Sequence, residues 1–122
     1  MELGMAGQCL ARVLVDFDIY LEFDSGDTLE LSEFSIRPAT AGVHVEVDSG
    51  SLARGLSALL PLIGERCSGD VCSADGELTV EFGRGDRIIA PYGEGEAWEF
   101  SGADGRRIIS GPGGELSIWS AK

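Results

Sequence analysis

Residues 9–23 read CLARVLVDFDIYLEF, and apolar and polar side chains alternate along this stretch. The odd positions are apolar, from Cys9 through Val13 and Ile19 to Phe23. Strict alternation is typical of a β-strand that buries one face. Because strands usually have about five or six residues, the stretch predicts two strands or one bent strand.

The rest of the chain also carries many β signals. TLELSEFSI at 28–36 is expected to form the next strand, and a short half-exposed strand is expected at 43–47. After residue 76, short apolar runs alternate with glycine-containing turns at hairpin spacing. The chain has 18 glycines in 122 residues, about twice the usual share of roughly 7%. Many tight turns are therefore expected.

One helix is predicted, around residues 51–62. Leucine and isoleucine recur there at spacings of three and four residues. Ser49 or Ser51 would cap its start, and Pro61 either ends the helix near Leu60 or kinks it. The expected fold class is α+β, with mostly antiparallel β structure in a small barrel or sandwich and one central helix.

Two parts of the chain resemble each other. LEFDSGD at 21–27 resembles VEFGRGD at 80–86. Each follows a stretch that begins with glycine, GQCLARV at 7–13 and GERCSGDV at 64–71. Chance similarity between two hairpins is the alternative explanation. We expect two related β units joined by the helix, within a single domain spanning residues 1–122.

The chain is strongly acidic, with a formal net charge of −12 from 21 acidic and nine basic side chains. The first 50 residues contain ten of the acids and only two of the bases. Such an excess opposes binding to nucleic acid phosphates and to anionic lipid. It suits a basic protein partner, and the alternative is that it only keeps the protein in solution.

A set of carboxylates in the first third of the chain is the predicted partner-binding surface. Four of them fall at even positions of residues 16–24 and are expected on one strand face. Residues two apart on a strand lie about 7 Å apart, too far to share a metal ion without other ligands, so no metal site is predicted. The predicted surface comprises Asp16, Asp18, Glu22, Asp24, Asp27, Glu30 and Glu33.

No catalytic motif is recognisable. His44 is the only histidine, and a general base would also need a positioned partner and a pocket. Cys67 and Cys72 are expected on opposite faces of a regular strand, and their spacing does not match a zinc site. A hydrolase would need two acids converging in a cleft. We expect a protein that is not an enzyme and uses no cofactor.

The cysteine count and the hydropathy of the chain bear on its location. Three cysteines cannot all pair within the chain, and an odd count favours a reducing cytoplasm. The start lacks the basic region of a secretory signal. No apolar stretch approaches the roughly 20 residues that a bilayer requires. We expect a cytoplasmic protein without membrane association.

The C-terminal part of the chain carries a family resemblance. WEFSGADGRRIISGPGGELSIW at 98–119, together with GQ at 7–8 and VDF at 15–17, resembles a family of small bacterial proteins of unassigned function. The matching positions of the closing pattern are Trp98, Gly102, Gly105, Pro112, Gly113, Gly114, Glu115, Leu116 and Trp119. The resemblance covers essentially the whole chain and implies a β-rich first half, a central helix and a glycine-rich closing hairpin. It implies no chemistry.

These observations favour a non-catalytic, acidic binding module. Its most concrete form is an immunity protein or antitoxin that binds a basic toxin domain. The alternative is a small-ligand or regulatory sensor in which Tyr92, Trp98 and Trp119 line a pocket in the β framework. For the two tryptophans, core packing is favoured over ligand binding. Exposed edge strands could also pair across a two-fold axis into a homodimer.

Overall fold

A computed structural model of the chain describes residues 1–39, 42, 44–91 and 97–120. Strands β1 to β5 are Leu10–Asp16, Asp18–Phe23, Thr28–Leu31, Phe34–Arg37 and Val45–Val47. Helix α1 is Leu52–Leu59, and a 3-10 turn follows at Leu60–Leu62. Strands β6 to β11 are Cys67–Cys72, Leu78–Phe82, Arg87–Ala90, Trp98–Ser101, Arg107–Ser110 and Leu116–Trp119.

The strands form two antiparallel sheets. The six-stranded sheet has the order β1-β2-β3-β9-β10-β11, and the five-stranded sheet has the order β5-β4-β8-β7-β6. Buried side chains of both sheets belong to one hydrophobic cluster, which includes Leu21 and Phe100 from the first sheet and Phe34 and Val80 from the second. Neither sheet closes on itself. The predicted α+β fold is confirmed as two open sheets, and the barrel alternative is wrong.

The two related β units are present, and strands β1 to β5 correspond to β6 to β10. Leu10 pairs with Phe23 at a bulge in the first unit, as Cys67 pairs with Phe82 at a bulge in the second. The loops that follow have equal length, so the resemblance between LEFDSGD and VEFGRGD reflects equivalent positions in space. The expected repeat of two β units is therefore present in the strand arrangement, and it is exact in length at the turns 24–27 and 83–86.

An approximate two-fold axis relates the two units where they meet. Gly7 N–H donates to the Cys67 carbonyl at 2.8 Å, and Gly64 N–H donates to the Leu10 carbonyl at 2.7 Å. Under the correspondence of the two units, these two hydrogen bonds are copies of each other. The junction between the units is therefore itself symmetric.

Each unit gives its fourth and fifth strands to the sheet of the other unit. Strand β9 pairs with β3, where Phe100 faces Leu29, and β4 pairs with β8, where Ile36 faces Ile88. TLELSEFSI was expected to form one strand, and this expectation is wrong. The chain leaves the first sheet after β3 and enters the second sheet at β4.

The alternation along residues 9–23 describes β2 better than β1. In β2, Ile19 and Phe23 face the core, as predicted. Strand β1 lies at the edge of its sheet and is exposed on both faces, with Leu14 and Val15 each 42% exposed. Between the two strands the chain reverses at Phe17, so the predicted continuous apolar row is interrupted there.

Helix α1 is shorter than the predicted range 51–62 because Pro61, which lacks an N–H, lies in the 3-10 turn. The helix packs closely on the sheets. A Cβ atom on Gly55 would lie 2.6 Å from Val47 Cγ1 and 2.9 Å from Ile19 Cδ1. With eight residues, α1 is far too short to cross a bilayer, and no other helix in the described parts of the chain is long and apolar enough to do so.

Candidate partner-binding surface

The turn between β1 and β2 projects an aromatic ring into solvent. Phe17 has a φ of 59° and is the single non-glycine residue with a positive φ in the described chain. A bulky side chain in this region costs about 1–2 kcal/mol. The ring is 88% exposed, so core packing does not offset that cost. We call residues 14–20, which form this end of the hairpin, the hairpin tip.

Carboxylates surround the tip. Asp16 and Asp18 flank Phe17 and pair across the turn. Burial is the largest cause that raises the pKa of Tyr20 above its usual value. The next causes are the negative charges of Glu30, Asp18 and Asp16. Among the ion pairs that the described residues form, none involves Asp16 or Asp18.

A surface depression of about 170 Å³ adjoins the tip on the outer face of the six-stranded sheet. It is lined by Asp18, Glu30, Ser32, Trp98 and Glu99. Its volume is several times the roughly 30 Å³ that a water molecule occupies in the liquid. Three of the five lining residues carry carboxylates, of which Glu99 is ion-paired with Arg107 at 2.8 Å. The depression therefore suits a cationic group better than an anionic one.

The predicted acidic row is not continuous. Three of its seven members lie together around the tip: Asp16, Asp18 and Glu30. Glu22 is on the same sheet face, but it accepts a hydrogen bond from Arg12 Nε at 2.9 Å and is ion-paired. Asp24 lies beyond the end of β2, where it accepts a hydrogen bond from Cys9 N–H at 3.1 Å. The row is broken because the chain reverses at Phe17 and because β2 ends before Asp24.

Asp27 serves the fold. It is 7% exposed and accepts hydrogen bonds from Gln8 Nε2 at 2.7 Å and Ala103 N–H at 2.9 Å. In the second unit Asp86 occupies the equivalent position and accepts a hydrogen bond from Ala39 N–H at 3.1 Å. Each aspartate joins the end of its own hairpin to the neighbouring strand connection, which leaves Asp27 little surface for a partner.

The last predicted carboxylate, Glu33, lies in the connection between β3 and β4, next to the other sheet. A second depression, of about 350 Å³, is found there. Each of the five residues that line the first depression has an equivalent residue in the lining of the second. In the order Asp18, Glu30, Ser32, Trp98 and Glu99, these equivalents are Glu77, Ile89, Pro91, Phe34 and Ser35. Glu33 lines it as well, beside Arg37. Each of the two sheets therefore carries a depression at an equivalent position, and the first depression is the one beside the tip.

The predicted aromatic pocket is not formed by the two tryptophans. Trp98 is 2% exposed, and its indole N–H donates to the Gly76 carbonyl at 3.0 Å. Trp119 is 51% exposed on β11, with the Arg107 guanidinium 5.9 Å from its ring. The two rings line different depressions. Tyr92, the third predicted member, lies outside the described residues.

The cysteines and the histidine do not form a reactive site in the described chain. Cys67 and Cys72 were expected on opposite faces, yet both are buried, because the bulge between Cys67 and Gly69 shifts the register. Burial raises the pKa of Cys67 to about 11, which keeps its thiol protonated and unreactive at neutral pH. His44 is exposed. No group of three or more His, Cys, Asp or Glu side chains within the described ranges is arranged to hold a metal ion.

Sequence reasoning missed Phe17, which the alternation places on the buried face. A signal was present in the length of the stretch. Fifteen alternating residues exceed a normal strand, so a turn had to fall near the middle. DFD at 16–18 is the most polar point of that middle section and is where the turn occurs.

Comparison with known proteins identifies a family for the chain but no activity. The model of a family of unknown function, DUF6188, matches residues 1–120. No curated protein and no solved structure matches the chain.

Proposed function

The chain therefore belongs to the DUF6188 family, and since no function is assigned to that family we propose one: the hairpin tip binds a basic protein partner. In this proposal the chain acts without catalysis, by covering a surface of that partner. Its most concrete form is an immunity protein or antitoxin whose tip blocks the active site of a basic toxin domain.

The observation that carries the proposal is the exposed ring of Phe17 on strained backbone. Strain of this kind persists where function requires it and the surrounding structure holds it in place. Aromatic residues that fill a pocket on the partner contribute much of the binding energy of protein interfaces. Leu14 and Val15, each 42% exposed, extend the apolar area next to the ring. Phe17 is thus suited to be the central anchor of an interface.

Charge defines the kind of partner. Asp16 and Asp18 lie on either side of the anchor, and Glu30 lies next to them on β3. An apolar centre with an acidic rim is complementary to a pocket rimmed by lysine and arginine. The adjoining depression would receive one cationic side chain from that rim, with carboxylates as charge-assisted hydrogen-bond acceptors. The formal net charge of −12 would speed the encounter.

The test is affinity capture from the source cells after mild crosslinking, with the wild-type chain and two variants of the tip. The variants are Phe17→Ala and the double variant Asp16→Asn with Asp18→Asn. Matched controls are Val71→Ala, at an apolar residue that is 51% exposed on β6, and Glu81→Gln, at an exposed carboxylate on β7.

We expect the wild-type chain and both controls to retain the same basic protein, and both tip variants to lose it. The binding of the wild-type chain should weaken with added salt, and any binding that the double variant retains should weaken less. If the partner is a toxin, co-expression of the wild-type chain should protect cells and Phe17→Ala should not. Capture of only acidic or neutral proteins, or capture that survives both tip variants, would refute the proposal.

A further inference from the structure

Within the described residues the two sheets have four edge strands, and the structure protects three of them along part or all of their length. Along β6, residues 1–5 cover the edge. Cys72 N–H donates to the Met1 carbonyl at 2.7 Å. Asp70 accepts hydrogen bonds from the N–H groups of Leu3 and Met5, the second at 2.8 Å. The backbone of this edge strand is therefore partly paired within the chain.

Strands β1 and β5 are protected in other ways. Strand β1 has a bulge between Leu10 and Arg12, and Leu10 N–H donates to the Glu65 carbonyl at 3.0 Å. Strand β5 has only three residues, and α1 packs against it through the contact of Gly55 with Val47. Bulges, short length and a covering segment are the usual means by which proteins prevent edge-to-edge pairing.

Strand β11 has none of these protections. It pairs with β10 in regular register over Leu116–Trp119, and in the described chain no strand pairs with its other side. Ile118 is 57% exposed and Trp119 is 51% exposed, on opposite faces of the strand. Its sequence, LSIW, contains no proline and no charge. A regular apolar edge of this kind is complementary to another strand.

We propose that β11 pairs with β11 of a second copy of this chain, antiparallel across a two-fold axis. Gly111 N–H donates to the Glu115 carbonyl at 2.7 Å, and hydrogen-bonded pairs alternate along an antiparallel ladder. The backbone N–H and C=O groups of Ile118 therefore point away from β10. A register centred on Ile118 forms two reciprocal hydrogen bonds, brings the two Ile118 side chains together and places each Trp119 beside the partner's Ser117.

Local ion pairing reduces charge repulsion at this edge, although two chains of net charge −12 repel each other overall. Two carboxylates near β11, one on β9 and one in the turn between β9 and β10, are ion-paired. Glu99 binds Arg107 at 2.8 Å, and Asp104 binds Arg106 at 3.0 Å. The hairpin tip belongs to β1 and β2, at the opposite end of the sheet order. The dimer would therefore leave both tips free, and this inference does not depend on the proposed function.

The test is sedimentation equilibrium of the full chain from about 1 μM to about 1 mM, the range over which weak association is measurable. We expect the mass to rise from 12.9 kDa towards twice that value. Ile118→Lys should remain monomeric, because it brings two ammonium groups together at the axis. Val71→Lys is the matched control, since Val71 is 51% exposed on the covered edge strand β6, and it should dimerise like the wild type.

Amide hydrogen exchange distinguishes edge pairing from association through another surface. In the dimer, the amide of Ile118 should become protected as the concentration rises, and circular dichroism should show that Ile118→Lys remains folded. A mass of one chain at every concentration would overturn the proposal. So would a dimer that Ile118→Lys leaves intact, or one in which the Ile118 amide stays unprotected.

Discussion

Replacing Phe17 by glycine should stabilise the fold, although it removes a large apolar side chain. The φ of 59° costs a bulky residue about 1–2 kcal/mol, and glycine adopts it without strain. Glycine also gives the unfolded chain more conformational freedom, which offsets about 0.4–1 kcal/mol of the stability gained by relieving the strain. The ring is 88% exposed, so little packing is lost. The net expectation is a gain of about 0.5–1 kcal/mol in the free energy of unfolding.

Phe17→Ala is the matched control, because it removes the ring and keeps the left-handed backbone. Its stability should stay within about 0.5 kcal/mol of the wild type. Urea denaturation measures both variants, and thermal melting should show Phe17→Gly higher by about 2–4 °C. Equal stability of Phe17→Gly and Phe17→Ala would refute the inference that the backbone at residue 17 is strained. A loss of more than about 1 kcal/mol in Phe17→Ala would show that the ring packs within the fold and is not held for a partner.

Three further predictions concern the core and the loops. Asp27→Ala should lower the free energy of unfolding by about 2–3 kcal/mol in urea denaturation, because it leaves two donors without their charged acceptor. Gly76→Ala should cost more than Gly105→Ala in the same assay: both have a positive φ, but only at residue 76 would a Cβ lie 2.6 Å from the Gly114 backbone. The free energy of unfolding should fall as the pH rises from about 9 towards 11. Burial raises the pKa of Cys67 to about 11 in the folded protein, whereas the thiol in the unfolded chain keeps its ordinary pKa near 9 and ionises first, which favours unfolding. Cys67→Ala should reduce this loss of stability at alkaline pH. An unchanged dependence of stability on pH in the variant would contradict the prediction.

Much of the fold could be predicted from the sequence because hairpin chemistry is local. Gly26 and Gly85 each lie in a five-residue turn in which the N–H of the first residue donates to the carbonyl of the last. These hydrogen bonds run from Phe23 N–H to the Asp27 carbonyl and from Phe82 N–H to the Asp86 carbonyl, each at 2.9 Å. The resemblance between residues 21–27 and 80–86 correctly predicted that these two turns are equivalent. The crossing from one sheet to the other after β3 could not be predicted, because it depends on pairing between residues about 70 positions apart, such as Leu29 and Phe100.

The candidate site was predicted only in part. Alternation indicates that Asp16 and Asp18 face solvent but does not reveal that the chain reverses between them. The burial of Asp27 could not be foreseen either, because its partner Ala103 lies in the other unit. Charge patterns in a sequence identify which residues are acidic. Which carboxylates remain available to a partner depends on tertiary contacts.

The exchange of strands between the two units has a consequence for synthesis on the ribosome. Strand β3 needs β9, so the first sheet cannot be completed until residues 98–101 have left the exit tunnel. Until then the nascent chain exposes the apolar faces of its early hairpins, which chaperones or like chains can bind. The domain should therefore fold in one late, cooperative step once residues 98–101 have emerged, and a ribosome stalled before residue 98 should hold a protease-sensitive chain.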